Sequence, residues 1–161
     1  AFGEATRSMQ LRVSPGGSSL RGLNLEIPAS VLAAIAPGLE AFGPQGRLRI
    51  RSDDLRLDAD SLLGAVEIEW RQVRLTRAGG LDLGSHVARL RGGGKKVDIE
   101  LGTLEGPLRL SGGGTWTREA GLNLSGAAEH GMDQAATLGS FLQGICTAYR
   151  DRRCTFRLKL Q

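Results

Sequence analysis

Aromatic side chains are scarce in this sequence: four Phe, two Trp and one Tyr among 161 residues. A core must therefore be filled by Leu, Val and Ile, and a surface of aromatics interleaved with cations for stacking nucleic-acid bases has no material. Long hydrophobic runs are missing as well. The longest apolar stretch, around Val31 to Leu39, contains Pro37 and Gly38 and falls far short of the roughly 20 residues a membrane helix needs. His and Cys number two each. His86 and His130 lie far from Cys146 and Cys154, with no CxxC or HxxxH spacing, so neither a metal site nor a cofactor is expected and both His are placed at the surface. The chain starts at Ala1-Phe2-Gly3 without Met, a charged n-region or an apolar h-region. The expectation is a processed protein or excised fragment whose signal or anchor has been removed.

Catalytic chemistry has little to stand on. A nucleophile needs a base and an orienting group, yet no GxSxG elbow occurs, and Gly84-Ser85-His86 and Glu129-His130-Gly131 stand alone, so no enzyme is expected and no catalytic residue is named. Asp53-Asp54 and Asp58 with Asp60 lack the ligand pattern of a calcium loop and read as a solvated turn. Gly92-Gly93-Gly94-Lys95-Lys96 and Gly112-Gly113-Gly114-Thr115 miss the phosphate-loop pattern and are expected as hairpin turns or bulges. The net charge is +4, but the Arg residues are scattered from Arg7 to Arg157, which argues against a nucleic-acid partner.

What is abundant is Gly, 24 residues, about twice the ordinary 7% share, punctuating short alternating runs. Candidate strands are 9–13, 23–27, 48–50, 66–70, 97–101, 108–110, 122–124 and 156–160, each apolar at every second position. Such alternation leaves one face on a core and one in water, the habit of antiparallel sheets. Two segments break the pattern. Val31, Leu32 and Ile35 behind Pro28 predict a short helix near 29–36, with Pro37-Gly38 as its stop; Met132, Ala135, Leu138, Gly139 and Leu142 predict a second near 132–143, with Asp133 at its positive end. Both helices are read as core elements.

Between Gly46 and Leu75 the apolar phase changes twice: Leu48 and Ile50 are even, Leu55 and Leu57 odd, then Val66, Ile68 and Trp70 even, Val73 and Leu75 odd. A hairpin whose partner numbers sum to 118 sets Leu48 against Trp70, Ile50 against Ile68, Arg49 against Glu69 and Arg51 against Glu67. Apolar meets apolar and charge meets opposite charge, with each pair contributing roughly 0.2 to 1 kcal/mol. The phase slips near Ser52 to Asp54 and Arg71 to Gln72 predict bulges that bend the sheet. The fold expected is mainly β: one domain over residues 1–161, a strongly curved antiparallel sheet forming an open half-barrel or groove, with the two short helices.

Cys146 and Cys154 flank a polar, turn-like segment of seven residues. That spacing fits a local disulfide, which implies the periplasm or beyond. The segment Phe156-Arg157-Leu158-Lys159-Leu160 reads either as an edge, with Phe156, Leu158 and Leu160 available for strand addition, or as a buried closing strand.

The order of several motifs carries a resemblance. Gly46-Arg47-Leu48-Arg49-Ile50 running to Asp54-Leu55-Arg56-Leu57, then Gly64 to Arg71, Leu83-Gly84, Leu101 to Gly112 and Gly114-Thr115-Trp116 resemble, in sequence order, type II secretion system protein N over roughly residues 20 to 160. The resemblance implies an accessory inner-membrane component with one membrane helix and a periplasmic domain, this chain being the periplasmic part and the anchor lying outside it. It implies a scaffold or adaptor that contacts the outer-membrane secretin or bitopic inner-membrane components, with the membrane reached only through the missing anchor. A bent sheet rich in Leu also resembles, weakly, the AsmA-like envelope proteins and other β-groove lipid carriers. A lipid or amphiphile in a groove is therefore the alternative function, against the simpler case in which the helices fill the groove.

Overall fold

Period-two alternation dominates the sequence, and in the computed structural model it becomes one continuous antiparallel sheet of ten strands. The structure describes residues 9–35, 39–134 and 138–161. The strands are β1 (Gln10–Ser14), β2 (Gly17–Pro28), β3 (Pro44–Leu57), β4 (Leu62–Leu75), β5 (Leu81–Gly94), β6 (Lys96–Glu105), β7 (Leu108–Thr117), β8 (Gly121–His130), β9 (Ala148–Arg150) and β10 (Arg153–Leu160). Each strand pairs with the next in the chain, except that β10 inserts between β8 and β9. The sheet is not closed into a barrel. Short turns such as Asp58 to Ser61, where the Asp58 N–H donates to the Ser61 carbonyl at 2.9 Å, enforce this meander.

The β3–β4 register follows the charge and apolar complementarity read from the sequence: Leu48 opposes Trp70, Arg49 opposes Glu69, Ile50 opposes Ile68 and Arg51 opposes Glu67. Register shifts fall between Arg51 and Leu55 and between Gln45 and Arg47. The first inserts an extra residue on β3 and the second on β4, where Gln72 adopts φ 52°. The disturbance continues into β5 and β6, with shifts beside Val73 and between Ser85 and His86. Gly84 lies on this line at φ 85°, and a Cβ there would collide with the Glu105 carbonyl oxygen and crowd Gly106. Bulges aligned across neighbouring strands bend the sheet.

Seven of the eight expected strands were drawn too short, all but the first, and two strands were not foreseen. β2 begins at Gly17 rather than Leu23, β7 reaches Thr117, and β5 and β9 are additional. The Gly92-to-Lys96 run is a hairpin turn between β5 and β6, but Gly112 to Thr115 lies inside β7, paired without a register break to β8. Glycine suits that position because β7 and β8 run so close that a Cβ on Gly114 would collide with the Asn123 carbonyl oxygen.

The segment after β2 forms a 3-10 turn (Ala29–Val31) and one α-helical turn, α1 (Leu32–Ile35), with a further 3-10 turn at Leu39–Phe42. Residue 36 and the Pro37-Gly38 stop lie outside the described residues. Val31, expected to face the core, is 40% exposed, and Ala29 is the residue buried instead. The second helix is split: a 3-10 turn (Met132–Gln134) precedes α2 (Leu138–Ile145), and Ala135 lies outside the described residues. Leu138, Gly139 and Leu142 are buried as the stripe requires, whereas Met132 is 76% exposed because it sits in the preceding turn rather than on the α2 stripe.

The main core lies at one end of the sheet. Val73, Leu75, Leu83, Leu108, Ala128, Leu138, Leu142 and Cys154 form its buried centre. Phe42 and Phe141 meet edge to face at 6.0 Å between ring centres, joining the 39–42 turn to α2. The half-buried Trp70, Leu110 and Tyr149 pack around this centre.

Candidate functional site

Register determines which residues share a face. From Leu25 through Ile50, Ile68, Ala88, Leu101 and Gly112 to Gly126 and Phe156, a row of directly opposed residues crosses eight strands without a charged side chain. A parallel row holds Val66, Leu90, Ile99, Gly114, Leu124 and Leu158. One face is thus apolar along these rows, while the next row, from Trp70, brings His86 and Thr103 onto the same face.

The helices do not cover it. The eight residues of α2 span about 12 Å at 1.5 Å per residue, whereas ten strands spaced about 4.8 Å apart extend over roughly 40 Å. α2 therefore caps the end where Leu108, Ala128 and Cys154 are buried. Away from that cap Leu48, Leu55, Val66 and Val97 are buried, Ile50, Ile68, Leu90, Ile99, Leu101, Trp116, Leu122 and Leu124 are half-buried, and Leu25, Leu158 and Leu160 are exposed.

The opposite face carries a charge ladder. Arg47 donates to Glu26 at 2.6 Å. Glu69 accepts from Arg51 and from Arg71, each at 2.8 Å, while Glu67 accepts from Arg51 and, at 3.2 Å, from Arg89. The Glu69 side chain is only 7% exposed, so two guanidinium partners offset its loss of water. Hydrogen bonding from Arg51, opposed by partial burial and assisted by Arg89, holds the Glu67 carboxyl below its ordinary pKa. Arg49, opposite Glu69 in register, turns instead toward Asn24, because Glu69 is already shared by Arg51 and Arg71.

The disulfide joins Cys146 to Cys154 with Cα atoms 5.6 Å apart. It ties the end of α2 to β10. Beside it, Thr147 donates its N–H and its hydroxyl to the Thr155 carbonyl, both at 2.9 Å, and β9 pairs with β10 only over Arg153 to Thr155. Beyond Thr155 the outer side of β10 faces no strand among the described residues, while its inner side pairs with β8 as far as Leu160. Phe156 lies half-buried against Gly126, and Leu158 and Leu160 are exposed on the apolar side.

Neither His lies free at the surface, a correction to the sequence reading. His130 is buried beneath α2, its Nε2 2.6 Å from the Tyr149 hydroxyl and its Nδ1 2.8 Å from the Gly131 carbonyl oxygen, with Gly139 of α2 against the pair. His86 is partly buried, with Nε2 2.8 Å from the Leu83 carbonyl oxygen and Nδ1 3.0 Å from the Thr103 hydroxyl. Burial lowers its pKa, partly countered by the Leu83 carbonyl. Both rings lock strand ends together. Thr103 in turn accepts the Leu110 N–H at 2.7 Å, past the last β6–β7 pair at Leu101 and Gly112. The sequence held no local sign of these bonds, since Tyr149 and Thr103 lie 19 and 17 residues away from their partners.

The described residues thus present an amphipathic sheet with an apolar face that α2 does not span and an edge beyond Thr155 without a neighbouring strand. The family model for type II secretion system protein N matches residues 2–157, and the chain belongs to that family. It is accordingly an envelope-associated accessory component of type II secretion. No curated protein and no solved structure matches it. Among the described residues, no helix is long and apolar enough to cross a membrane.

Proposed function

We propose that this chain is the periplasmic part of a single-pass inner-membrane protein and serves type II secretion as a non-enzymatic adaptor, contacting the outer-membrane secretin or a bitopic inner-membrane component. The observation that carries this reading is the outer side of β10 over Phe156 to Leu160, which has no neighbouring strand among the described residues. An edge of this kind offers unpaired backbone N–H and C=O groups to an incoming strand. Membership of the secretion family supplies the kind of partner. A photo-crosslinker at Leu158 in the membrane-anchored protein, in its own cells, tests it. Capture of the secretin or an inner-membrane secretion component is the expected result; capture of neither from Leu158 or Leu160 refutes the adaptor.

The half-buried apolar face favours a second reading, a groove for a lipid or amphiphile. Native mass spectrometry after gentle purification distinguishes it. A reproducible bound mass in the lipid range supports the groove, and bare protein counts against it.

A further inference from the structure

Charge on the polar face of β10 points to the chemistry of the strand that would complete the edge. Directly opposed residues form a row running Arg51, Glu67, Arg89, Glu100, Gly113, Ser125, Arg157. Its interior alternates cation with anion, and Glu67 binds both flanking arginines. At the edge the alternation lapses: Arg157 has only Ser125 beside it, and Glu100 is three strands away, roughly 14 Å at ordinary strand spacing. Lys159 stands beside Asn123 in the same way. Arg153, by contrast, is satisfied within the sheet by Glu129 at 2.7 Å. Arg157 and Lys159 make no ion pair or side-chain hydrogen bond among the described residues. They flank Leu158, in the stretch that β9 leaves uncovered.

We infer that the β10 edge takes a strand from another protein in which apolar residues alternate with Glu or Asp, the acids pairing with Arg157 and Lys159 and the apolar side chains extending the face of Phe156, Leu158 and Leu160. A second copy of this chain is the wrong occupant. Joining β10 to β1 of another molecule sets Arg157 and Lys159 near Arg12, which shares the polar face, and joining β10 to β10 sets the two cations against themselves. Like charges opposed across a strand pair are destabilising. The inference rests on the adaptor reading and narrows its partner to an acidic, alternating segment.

The test uses two short capped peptides, one alternating Val with Glu and one alternating Val with Lys, titrated into the isotopically labelled chain at low salt. The Glu peptide is expected to bind, to weaken as salt screens the exposed charges, and to shift and protect the amides of Phe156 to Leu160. The double variant Arg157→Glu, Lys159→Glu is expected to bind it at least about tenfold more weakly and to accept the Lys peptide instead. Failure of the Glu peptide to bind, equal binding by parent and variant, or protection away from β10 overturns the inference; in the first case the two cations only repel stray strands. The same double variant in the Leu158 crosslinking experiment separates the two readings. Undiminished capture of a secretion component overturns the acidic-strand inference and leaves the adaptor standing. Lost capture by the variant is the expected result; absence of capture by the parent protein, with the peptide results intact, overturns the adaptor and leaves the edge chemistry standing.

Discussion

Cutting the Cys146–Cys154 bridge is expected to destabilise the protein by an amount set mainly by its short loop. The cysteines are 8 residues apart in sequence. Closing a loop of that size removes about 8 cal/mol/K of entropy from the unfolded chain, or about 2.5 kcal/mol at 25 °C. Replacing both by Ala adds a packing loss of about 1 kcal/mol, because Cys154 is 1% exposed in the centre of the core. The assay is urea unfolding, followed by far-ultraviolet circular dichroism and Trp fluorescence, of the oxidised protein, the same protein reduced, and Cys146→Ala, Cys154→Ala. With a urea slope of about 2 kcal/mol/M, the reduced midpoint should fall by about 1.2 M and that of the double variant by somewhat more. The thermal midpoint should drop by about 5 to 10 °C. Reduced and oxidised proteins unfolding within about 0.3 M of each other would refute the reasoning. The hydrogen bonds from Thr147 to Thr155 and the β9 pairing would then hold that corner without the bridge.

Three further outcomes follow from the sheet's interior. Gly84→Ala should cost at least about 2 kcal/mol in the same urea assay, since the new Cβ meets the Glu105 carbonyl at a positive φ; a loss under about 0.5 kcal/mol would mean the bulge line relaxes freely. His86 has a folded pKa below its ordinary 6.5, so its contribution is fully present above pH 6.5 and is lost as the pH falls from there through the folded pKa. His86→Gln should flatten that part of the stability profile. The carboxyl of Glu67 is likewise lowered from 4.5. Its contribution is present above that pH and lost below it, and Glu67→Gln should remove the corresponding acid-side slope.

Legibility in the sequence depended on whether both faces of a strand carried a code. Leu48-Arg49-Ile50-Arg51 and Glu67-Ile68-Glu69-Trp70 state polarity on one face and charge sign on the other, and a single register satisfies both. The phase slips marked the bulges for the same reason. Gly112 to Gly114 carry no side chain and so declare no face, which is why a strand interior read as a turn. β5 was hidden differently: its Val87 is buried on the charged face, between Glu69 and Gly102, and breaks the alternation of Ala88 and Leu90. Burial of His130 depends on Tyr149, brought near by β9 and the disulfide. No local pattern announces a contact of that kind.

The edge and the apolar face are one continuous surface, so the adaptor and groove readings constrain each other. Side chains in the middle of the face shelter one another and are half-buried, whereas Leu158 and Leu160 on β10 are exposed, Leu160 by 53%. Adding an alternating strand to β10 would place new apolar residues beside Phe156, Leu158 and Leu160, raising a wall where the face now ends. Such a wall deepens whatever trough the bent sheet offers. Binding of the Glu peptide should therefore strengthen retention of an amphiphile on the face, and by linkage the amphiphile should strengthen peptide binding by the same factor. Native mass spectrometry with both present measures that coupling. Independent binding of the two would mean that the edge serves a partner and the face does not extend to it.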